Sequence, residues 1–548
     1  MIRFAALLDR IGTTPGRNAK LALVRDYLAT TPDPDRGLAL AVMTGGLSFR
    51  HAKPKLLREL IATRVDPQLF ALSYDYVGDL SETIALLWPT PNEARFAPRL
   101  SDVVSALDTL PASALGPALA DWLDGLDETG RWALLKLVTG SLRIGISARL
   151  AKTAAGMLGN RSVGEIEEIW HGLTPPYTAF FAWLEGRAPL EASGDPAPFR
   201  APMLAHPLDE TALADLMPEE HLAEWKWDGI RVQAVGYRTA AGEHAVRLYS
   251  RSGEDITAAF PDVVGALRLG DAALDGELLV KREGRIQPFG SLQQRLNRKT
   301  VSRALLASHP GHIRAYDLLA LGGEDLRGLP FIERRRRLEA FVAGHTGGRL
   351  DLSPLAPFPD SETLADARSD PAAHGAGVDA GAVEGLMIKR RDSAYVAGRP
   401  RGLWWKWKRD PFVVDAVLLY AQRGHGKRAS FYSDYTFGVW KDAVLVPVGK
   451  AYFGFTDDEL KALDRFVRNN TIGRFGPVRE VRHEADAGLV LEVAFEGLNR
   501  SSRNRSGLAM RFPRIARIRW DKPPREAGTL GELEALLADA GAESAAQD

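Results

Sequence analysis

Residues 186–201 read GRAPLEASGDPAPFRA, a stretch dense in Pro, Ala and Gly and poor in large apolar side chains. Such a segment cannot supply a core and reads as a linker. It divides a chain whose two sides differ in texture. In residues 1–185 apolar positions recur at helical spacing, as in Phe4, Leu7, Leu8 and Ile11, in 56–61 and in 115–126, with Pro and Gly as punctuation. Residues 202–410 alternate helical runs with strand-like ones such as AVRLYSR, AALDGELLV, IRAYDLLAL and VEGLMIK, an α+β texture. Residues 411–525 hold short strand-like segments broken by one helical stretch over 457–468, the spacing of a small closed barrel. Residues 526–548 carry only negative charge and read as a short acidic helical tail. A chain of 548 residues has length for about three or four domains.

Composition removes several chemistries. There is no cysteine, so disulfides, thiolate metal sites and a thiol nucleophile are excluded. His309 and His312 are the one close histidine pair; they flank Pro-Gly and read as loop residues rather than metal ligands. No run approaches the ~20 apolar residues of a membrane helix, and the first residues lack a signal-peptide pattern. A cytoplasmic protein is expected. The 70 basic residues balance 70 acidic ones, but residues 334–337, 389–391 and 406–409 are basic clusters able to steer an anion. The Gly-Lys pairs at 426–427 and 449–450 lack the rest of a P-loop, and neither HExxH nor GxSxG occurs.

The segment LAEWKWDGIRV is unusual. As a strand it places Glu224, Lys226 and Asp228 on one face and Ala223, Trp225 and Trp227 on the other, before Gly229 and Arg231. Two readings fit: an ion-pair ladder on an edge strand, or a lysine nucleophile in a polar site backed by a packed core. In LDGE, Asp275 and Glu277 share a face. In VEGLMIK, Glu384 and Lys389 differ in parity and share a face only through a bulge, which Gly385 could supply. In WWKWK, Lys406 and Lys408 share a face opposite Trp405 and Trp407; they repel unless an anion such as phosphate lies between them, or they form an exposed basic strand.

Taken in order, these segments resemble the nucleotidyltransferase motifs of ATP-dependent DNA ligases. Lys226-Trp-Asp-Gly-Ile-Arg231 resembles K-x-D-G-x-R, and Ser250-Arg251-Ser-Gly-Glu, Asp275-Gly-Glu277, Ala315-Tyr316-Asp-Leu-Leu, Glu384 to Lys389 and Lys406-Trp-Lys408 resemble the motifs that follow it. Arg511 to Arg514 through Arg519-Trp-Asp-Lys522 resembles the last motif, and Arg200-Ala-Pro-Met-Leu-Ala-His-Pro the lead-in to the catalytic domain. Each motif is weak alone; seven in order over about 300 residues are specific. Lys136 to Ser147 resembles the duplex-contacting segment of the helical DNA-binding domain.

The resemblance implies a fold: an all-α DNA-binding domain (1–185), a linker (186–201), an α+β adenylation domain (202–410), a C-terminal OB-fold β-barrel (411–525) and the acidic tail (526–548). It implies a reaction in which Lys226 takes AMP from ATP as a phosphoramidate, passes it to the 5′-phosphate of a nick, and the 3′-hydroxyl then displaces AMP. A free lysine has a pKa of about 10.4, and neighbouring cations would lower it. It implies that Tyr316 stacks on adenine beside Glu224, that Glu277 holds the ribose, and that Arg231 and Arg251 lie near the sugar and the nick phosphate. Lys406 and Lys408 would reach the α-phosphate, with Lys389 and Arg401 also in the nucleotide set. The spacing from Arg401 to Lys406 is shorter than usual in the family. Arg519 and Lys522 would orient pyrophosphate when the barrel closes. Mg²⁺ would be held among Asp228, Glu277 and Glu384. Gly140 and Gly145 would let the backbone approach duplex DNA, with Arg143 and Arg149 adding charge. The expected partner is nicked duplex DNA, clasped by a monomer.

Two other readings compete. An RNA ligase or a GTP-using capping enzyme shares the lysine chemistry, and nucleotide choice separates them. A DNA-binding scaffold with a decayed site would bind nicks without labelling. The Ala, Arg, Gly and Pro bias points to a GC-rich, bacterial genome, where such a ligase would serve repair.

Overall fold

The computed structural model describes residues 1–545 except 15, 78, 90–96, 141, 143, 190–194, 240, 297–300, 346–347, 424–431, 453, 476–477 and 502–504. The chain divides into two compact units: Met1–Ile166, Leu173–Ala192 and Pro411–Glu534 in one, Glu167–Gly172, Ser193–Asp410 and Ala535–Asp548 in the other.

Among the described residues up to 184 every regular element is helical, from Ile2–Thr13 to Thr178–Leu184. Phe4, Leu7, Leu8 and Ile11 are buried on one stripe of the first helix, as their spacing requires. Later helices start on side-chain caps: Asp79 accepts from Glu82 N–H, Asp127 from Gly130 and Ser147 from Leu150.

Residues 206–408 build two sheets. The first has the order β1 (His206–Pro207), β12 (Trp404–Lys408), β11 (Val383–Arg390), β2 (His221–Trp227), β10 (Leu355–Ala356). The second runs β4 (His244–Ser250), β3 (Ile230–Arg238), β5 (Ala273–Arg282), β7 (Gly311–Leu321), β8 (Glu324–Asp325), with β6 (Arg285–Ile286) on β5 and β9 (Leu350–Leu352) on β7. The tryptophan face of the first sheet, Trp225, Trp227 and Trp407, is buried with Leu386 and Ile388. The second sheet packs Val232, Leu274, Leu278, Ile313 and Ala315 into its own core. A third cluster draws on both sheets, joining Trp404 and Tyr395 to Val235, Ala273 and Leu319.

The described end of the Pro-rich segment packs against the fold. Ala197, Phe199 and Ala201 are buried, and Tyr249 Oη donates to Ala197 O at 2.6 Å. Three small or aromatic side chains sufficed to seat this segment despite its Pro-rich sequence.

The C-terminal strands form one seven-stranded sheet: β15 (Val444–Ala451), β14 (Tyr432–Lys441), β13 (Phe412–Arg423), β17 (Val478–Val481), β16 (Thr471–Phe475), with β18 (Val490–Phe495) on β13 and β21 (Arg514–Arg519) on β18. β19 (Gly497–Arg500) and β20 (Leu508–Arg511) form a separate hairpin. A closed barrel was expected; among the described residues the sheet is β-rich but its ladder does not close. The predicted helix is Asp457–Asn469, started by a Thr456/Glu459 capping box. The segment read as a tail begins inside this unit: Trp440 N–H donates to Gly528 O, and Leu530 and Leu533 are buried. Its acidic helix is Leu530–Ala545. Among the described residues no helix is long and apolar enough to cross a membrane.

Candidate active site

The K-W-D-G-I-R segment leaves one sheet and enters the other. Lys226 lies near the end of β2, and Arg231 near the start of β3, which pairs with β5. Gly229 makes the crossing: a Cβ there would sit 2.6 Å from Leu278 O and 2.8 Å from Glu277 Cγ, contacts only a glycine avoids. Lys226 therefore stands on the first sheet while Arg231 and Glu277 oppose each other on the second.

Glu384 reaches Lys226 through the expected bulge. Val383 opposes Trp227 but Gly385 opposes Lys226, so Glu384 is the extra residue. Gly385 has φ +143°, and a Cβ on it would lie 2.3 Å from Trp407 O. Lys226 Nζ donates to Glu384 Oε1, and Lys408 Nζ lies 3.0 Å from Glu384 Oε2. Burial alone would raise the proton affinity of Glu384; Lys226 and Lys408 outweigh it and hold its pKa below the ordinary value.

The cations gather on Lys406. Burial lowers its pKa, and Lys408, Lys226, Arg399 and Arg251 lower it further. Five positive side chains thus share one region, the arrangement two same-face lysines require if an anion is to lie between them. Arg251 is exposed at the tip of the turn after β4. Arg401 is exposed in the turn before β12, and the arginine acting on Lys406 is Arg399, two residues earlier.

Carboxylates share the same region. Burial pushes the Glu277 carboxyl up to about 8; Lys226 and Arg231 pull it down while Glu384 and Asp228 push it up. Asp228 N–H donates to Ala382 O. Among the described residues no group of three His, Asp or Glu side chains is placed to hold a metal by itself.

Deeper in the cleft, Glu224 is 2 % exposed and held between Arg335 (2.9 Å) and Lys389 (2.5 Å). Lys389 is buried too, its Nζ 4.8 Å from the ring centre of Tyr316 and 4.5 Å from those of Phe331 and Trp404. Tyr316, partly buried on β7, has Arg231 5.9 Å from its ring centre. Lys389 and Glu224 thus neutralise each other beneath the ring rather than presenting free charge.

Arg231 is also engaged by protein. Its Nη1 donates to Met203 O at 2.6 Å, and its Nη2 to Asp275 Oδ2 at 2.5 Å and to Tyr395 Oη at 2.9 Å. Tyr395 Oη donates to Asp275 at 2.5 Å, and Gln233 Nε2 adds a bond to Asp275 Oδ1. Asp275 was visible as part of D-G-E, but not its grip on Arg231. Tyr395 and Arg399 lie in an irregular connection, where no periodicity marks a residue that points inward.

The basic cluster 334–337 is not an anion site. Arg334 is fully buried against Asp317 (2.8 Å), Arg335 holds Glu224 and Glu339, and Arg336 and Arg337 bond Glu333. Likewise Lys389 is internal, Arg390 pairs with Asp392 and Arg391 donates to backbone carbonyls.

In the other unit, Arg519 and Lys522 both donate to Asp415, at 3.3 and 2.7 Å, and Arg519 also to Asp521. In the helical region, Gly140 (φ +68°) ends the helix Glu128–Thr139 and Gly145 (φ +75°) accepts at its carbonyl from Lys20 Nζ, 3.0 Å away. A Cβ on Gly140 would meet open space, so its left-handed backbone, not crowding, calls for glycine. Arg149 begins the helix Ala148–Gly156, and Arg143 lies outside the described residues. Lys136 is buried against Asp79 at 2.6 Å and unavailable to a ligand.

Comparison with known proteins converges on one family. Residues 202–408 match the family described as ATP dependent DNA ligase domain, and residues 428–522 the one described as ATP dependent DNA ligase C terminal region. The chain is 32% identical to a probable DNA ligase of Koribacter versatilis, over 97% of this chain and 96% of that protein. It is 29% identical to DNA ligase 1 of Korarchaeum cryptofilum, over 97% of each. A solved structure titled "Pmar-Lig_Pre." shares the fold at TM-score 0.59 and 14% identity, over 95% of this chain and 99% of that one.

Proposed function

The chain belongs to the ATP-dependent DNA ligase family, and on that premise we propose that it seals 3′-OH/5′-phosphate nicks in duplex DNA with Lys226 as the nucleophile. The observation that carries this is the setting of Lys226: its amine donates to Glu384, which Lys408 also reaches, and Lys406 and Glu277 lie close enough to feel its charge.

In the first step the Lys226 Nζ lone pair attacks the α-phosphorus of ATP, an N–P bond forms, and the bond to the β-phosphate oxygen breaks with release of pyrophosphate. Glu384 accepts from Nζ and aims it, and the proton that Nζ must shed passes to water. Lys406 and Lys408, with Arg251 and Arg399 nearby, stabilise charge on the phosphoryl oxygens. AMP then moves to the nick 5′-phosphate, and attack by the 3′-hydroxyl closes the strand and frees AMP. Tyr316 offers its ring to adenine, worth about 1–3 kcal/mol for base stacking. Glu277 suits the ribose: a carboxyl with raised pKa is ready to hydrogen-bond a hydroxyl.

The acidic side fits a divalent cation. Glu384 and Asp228 bear on the Glu277 carboxyl as like charges, and Mg²⁺ takes one or two carboxylates plus substrate phosphates rather than a full protein cage. When bound, the ion would neutralise charge on the phosphates.

Residues 1–185 are assigned to duplex binding, with Gly140, Gly145 and Arg149 at the contact, and 411–525 to an OB-fold domain whose Arg519 and Lys522 orient pyrophosphate. A role in repair by a monomer completes the reading. The test is intact-protein mass after pyrophosphate stripping and incubation with Mg²⁺ and ATP, GTP or NAD⁺. A gain of one AMP with ATP alone, lost in Lys226→Ala, is expected. A GMP gain, or an adduct surviving in Lys226→Ala, would overturn the assignment.

A further inference from the structure

Tyr395 belongs to none of the motifs, yet it stands where three separate parts of the chain converge on Arg231. Its hydroxyl donates to Asp275 Oδ2 at 2.5 Å and accepts from Arg231 Nη2 at 2.9 Å. The second arm of Arg231 is taken by Met203 O at 2.6 Å. Met203 is itself fixed by the Tyr395 segment: it bridges Gly398, Leu204 N–H donates to Gly398 O, Gly398 N–H donates to Pro202 O, and Val396 N–H points at Met203 S.

The ring makes the other half of the connection. Tyr395 is 5% exposed and meets Trp404 edge-on at 5.8 Å. Trp404 begins β12, the strand that carries Lys406 and Lys408 two and four residues on, on its own face. One side chain therefore grips the guanidinium of the second sheet by its hydroxyl and the lysine strand of the first by its ring. A bidentate guanidinium bonded at both arms loses its freedom to turn, and misplacement of a phosphate-handling group by 1 Å costs about 10²-fold in rate.

We propose that Tyr395 is a positioning residue for nucleotidyl transfer, holding Arg231 of one sheet in register with Lys406 and Lys408 of the other. The inference rests on the reading of Lys226 as the adenylated lysine. A hydroxyl between a carboxylate and a guanidinium would otherwise be an expensive way to fill this volume, since the apolar cluster around it needs only the ring.

The experiment compares wild type, Tyr395→Phe and Tyr395→Leu in single-turnover adenylation across ATP concentrations, with melting temperature measured alongside. Tyr395→Phe keeps the ring against Trp404 and removes one of three bonds that hold Arg231, together with the bond that orients Asp275. It should slow the adenylation step about tenfold while KM for ATP and the melting temperature stay within error. Tyr395→Leu should lose at least as much rate and also melt earlier. A wild-type rate in Tyr395→Phe would overturn the proposal, and so would a loss that appears only as raised KM or lowered melting temperature. Should wild type itself take up no AMP, the reading of Lys226 fails first, a result that looks different from a fast Tyr395→Phe.

Discussion

Lys226 and Glu384 meet at the one point where the ladder between β2 and β11 takes an extra residue. In a regular ladder Glu384 would fall on the tryptophan face and be buried without a partner. The bulge turns it onto the lysine face, and Gly385 makes the bulge possible.

Gly385→Ala should therefore damage stability and chemistry together. Its φ of +143° and the 2.3 Å approach of a Cβ to Trp407 O leave no relaxed conformation. Strain of this kind costs about 1–3 kcal/mol, and relief by shifting β12 would loosen Lys408 from Glu384. The urea midpoint should fall and lysine adenylation slow by at least tenfold. An unchanged rate would show that the bulge does not set the site.

Asp317→Ala should be among the most destabilising changes in the chain. It would leave Arg334, which is fully buried, without its bidentate partner, a loss of about 3–5 kcal/mol. Chemical denaturation reads it. Replacing both residues by leucine should recover most of the loss, because the stranded charge is gone.

Acid should act through Asp351, which accepts from Arg314 and Lys281 and has His312 Nε2 3.0 Å away. Burial would raise its pKa, but Arg314 and His312 more than reverse this and hold it well below the carboxylate range. Its contribution is therefore complete above the unfolded value of about 3.9 and fades as pH falls below that. The gap in stability between wild type and Asp351→Asn, about 2 kcal/mol at neutral pH, should close in strong acid, below about pH 4, as the unfolded Asp351 takes up its proton. Burial lowers the pKa of His312, so wild type should also begin to lose stability as pH drops below about 6.5, where the unfolded histidine takes up a proton. A gap that stays fully open in strong acid would contradict this.

Nick binding should fall steeply with salt through counterion release. Arg149→Ala should weaken it and flatten the log–log slope by about one unit, while adenylation, which involves no DNA, keeps its rate. Fluorescence anisotropy of a nicked duplex gives both. An unaltered slope would remove Arg149 from the interface.

The strands of the site were legible because their alternation is strict. Glu224 and Lys226 on one face, with Trp225 and Trp227 on the other, needed no tertiary information. The parity clash in VEGLMIK even located the bulge. Charge was harder to read. Arg334 to Arg337 form a run of four cations in sequence, but each finds a carboxylate from a neighbouring turn or another element, and the run spends itself internally. Arg399 and Tyr395 were invisible for the opposite reason: an irregular connection has no period, so inward and outward residues look alike. The same holds for the open edge of the C-terminal sheet, because whether a sheet closes depends on pairing between distant strands.

The crossing at Gly229 has a consequence for how such a chain can change over generations. Glu224, Glu277, Lys389, Lys406 and Lys408 are brought together by ladder partners, so the loops between their strands can lengthen or shrink without disturbing the meeting. From Lys226 to Arg231 there is no such slack, because these few residues are themselves the span from one sheet to the other. One residue inserted there would rotate the lysine away from its partners and spare every other element. Of the intervals between its reactive groups, that short stretch is the one whose length the two sheets themselves dictate.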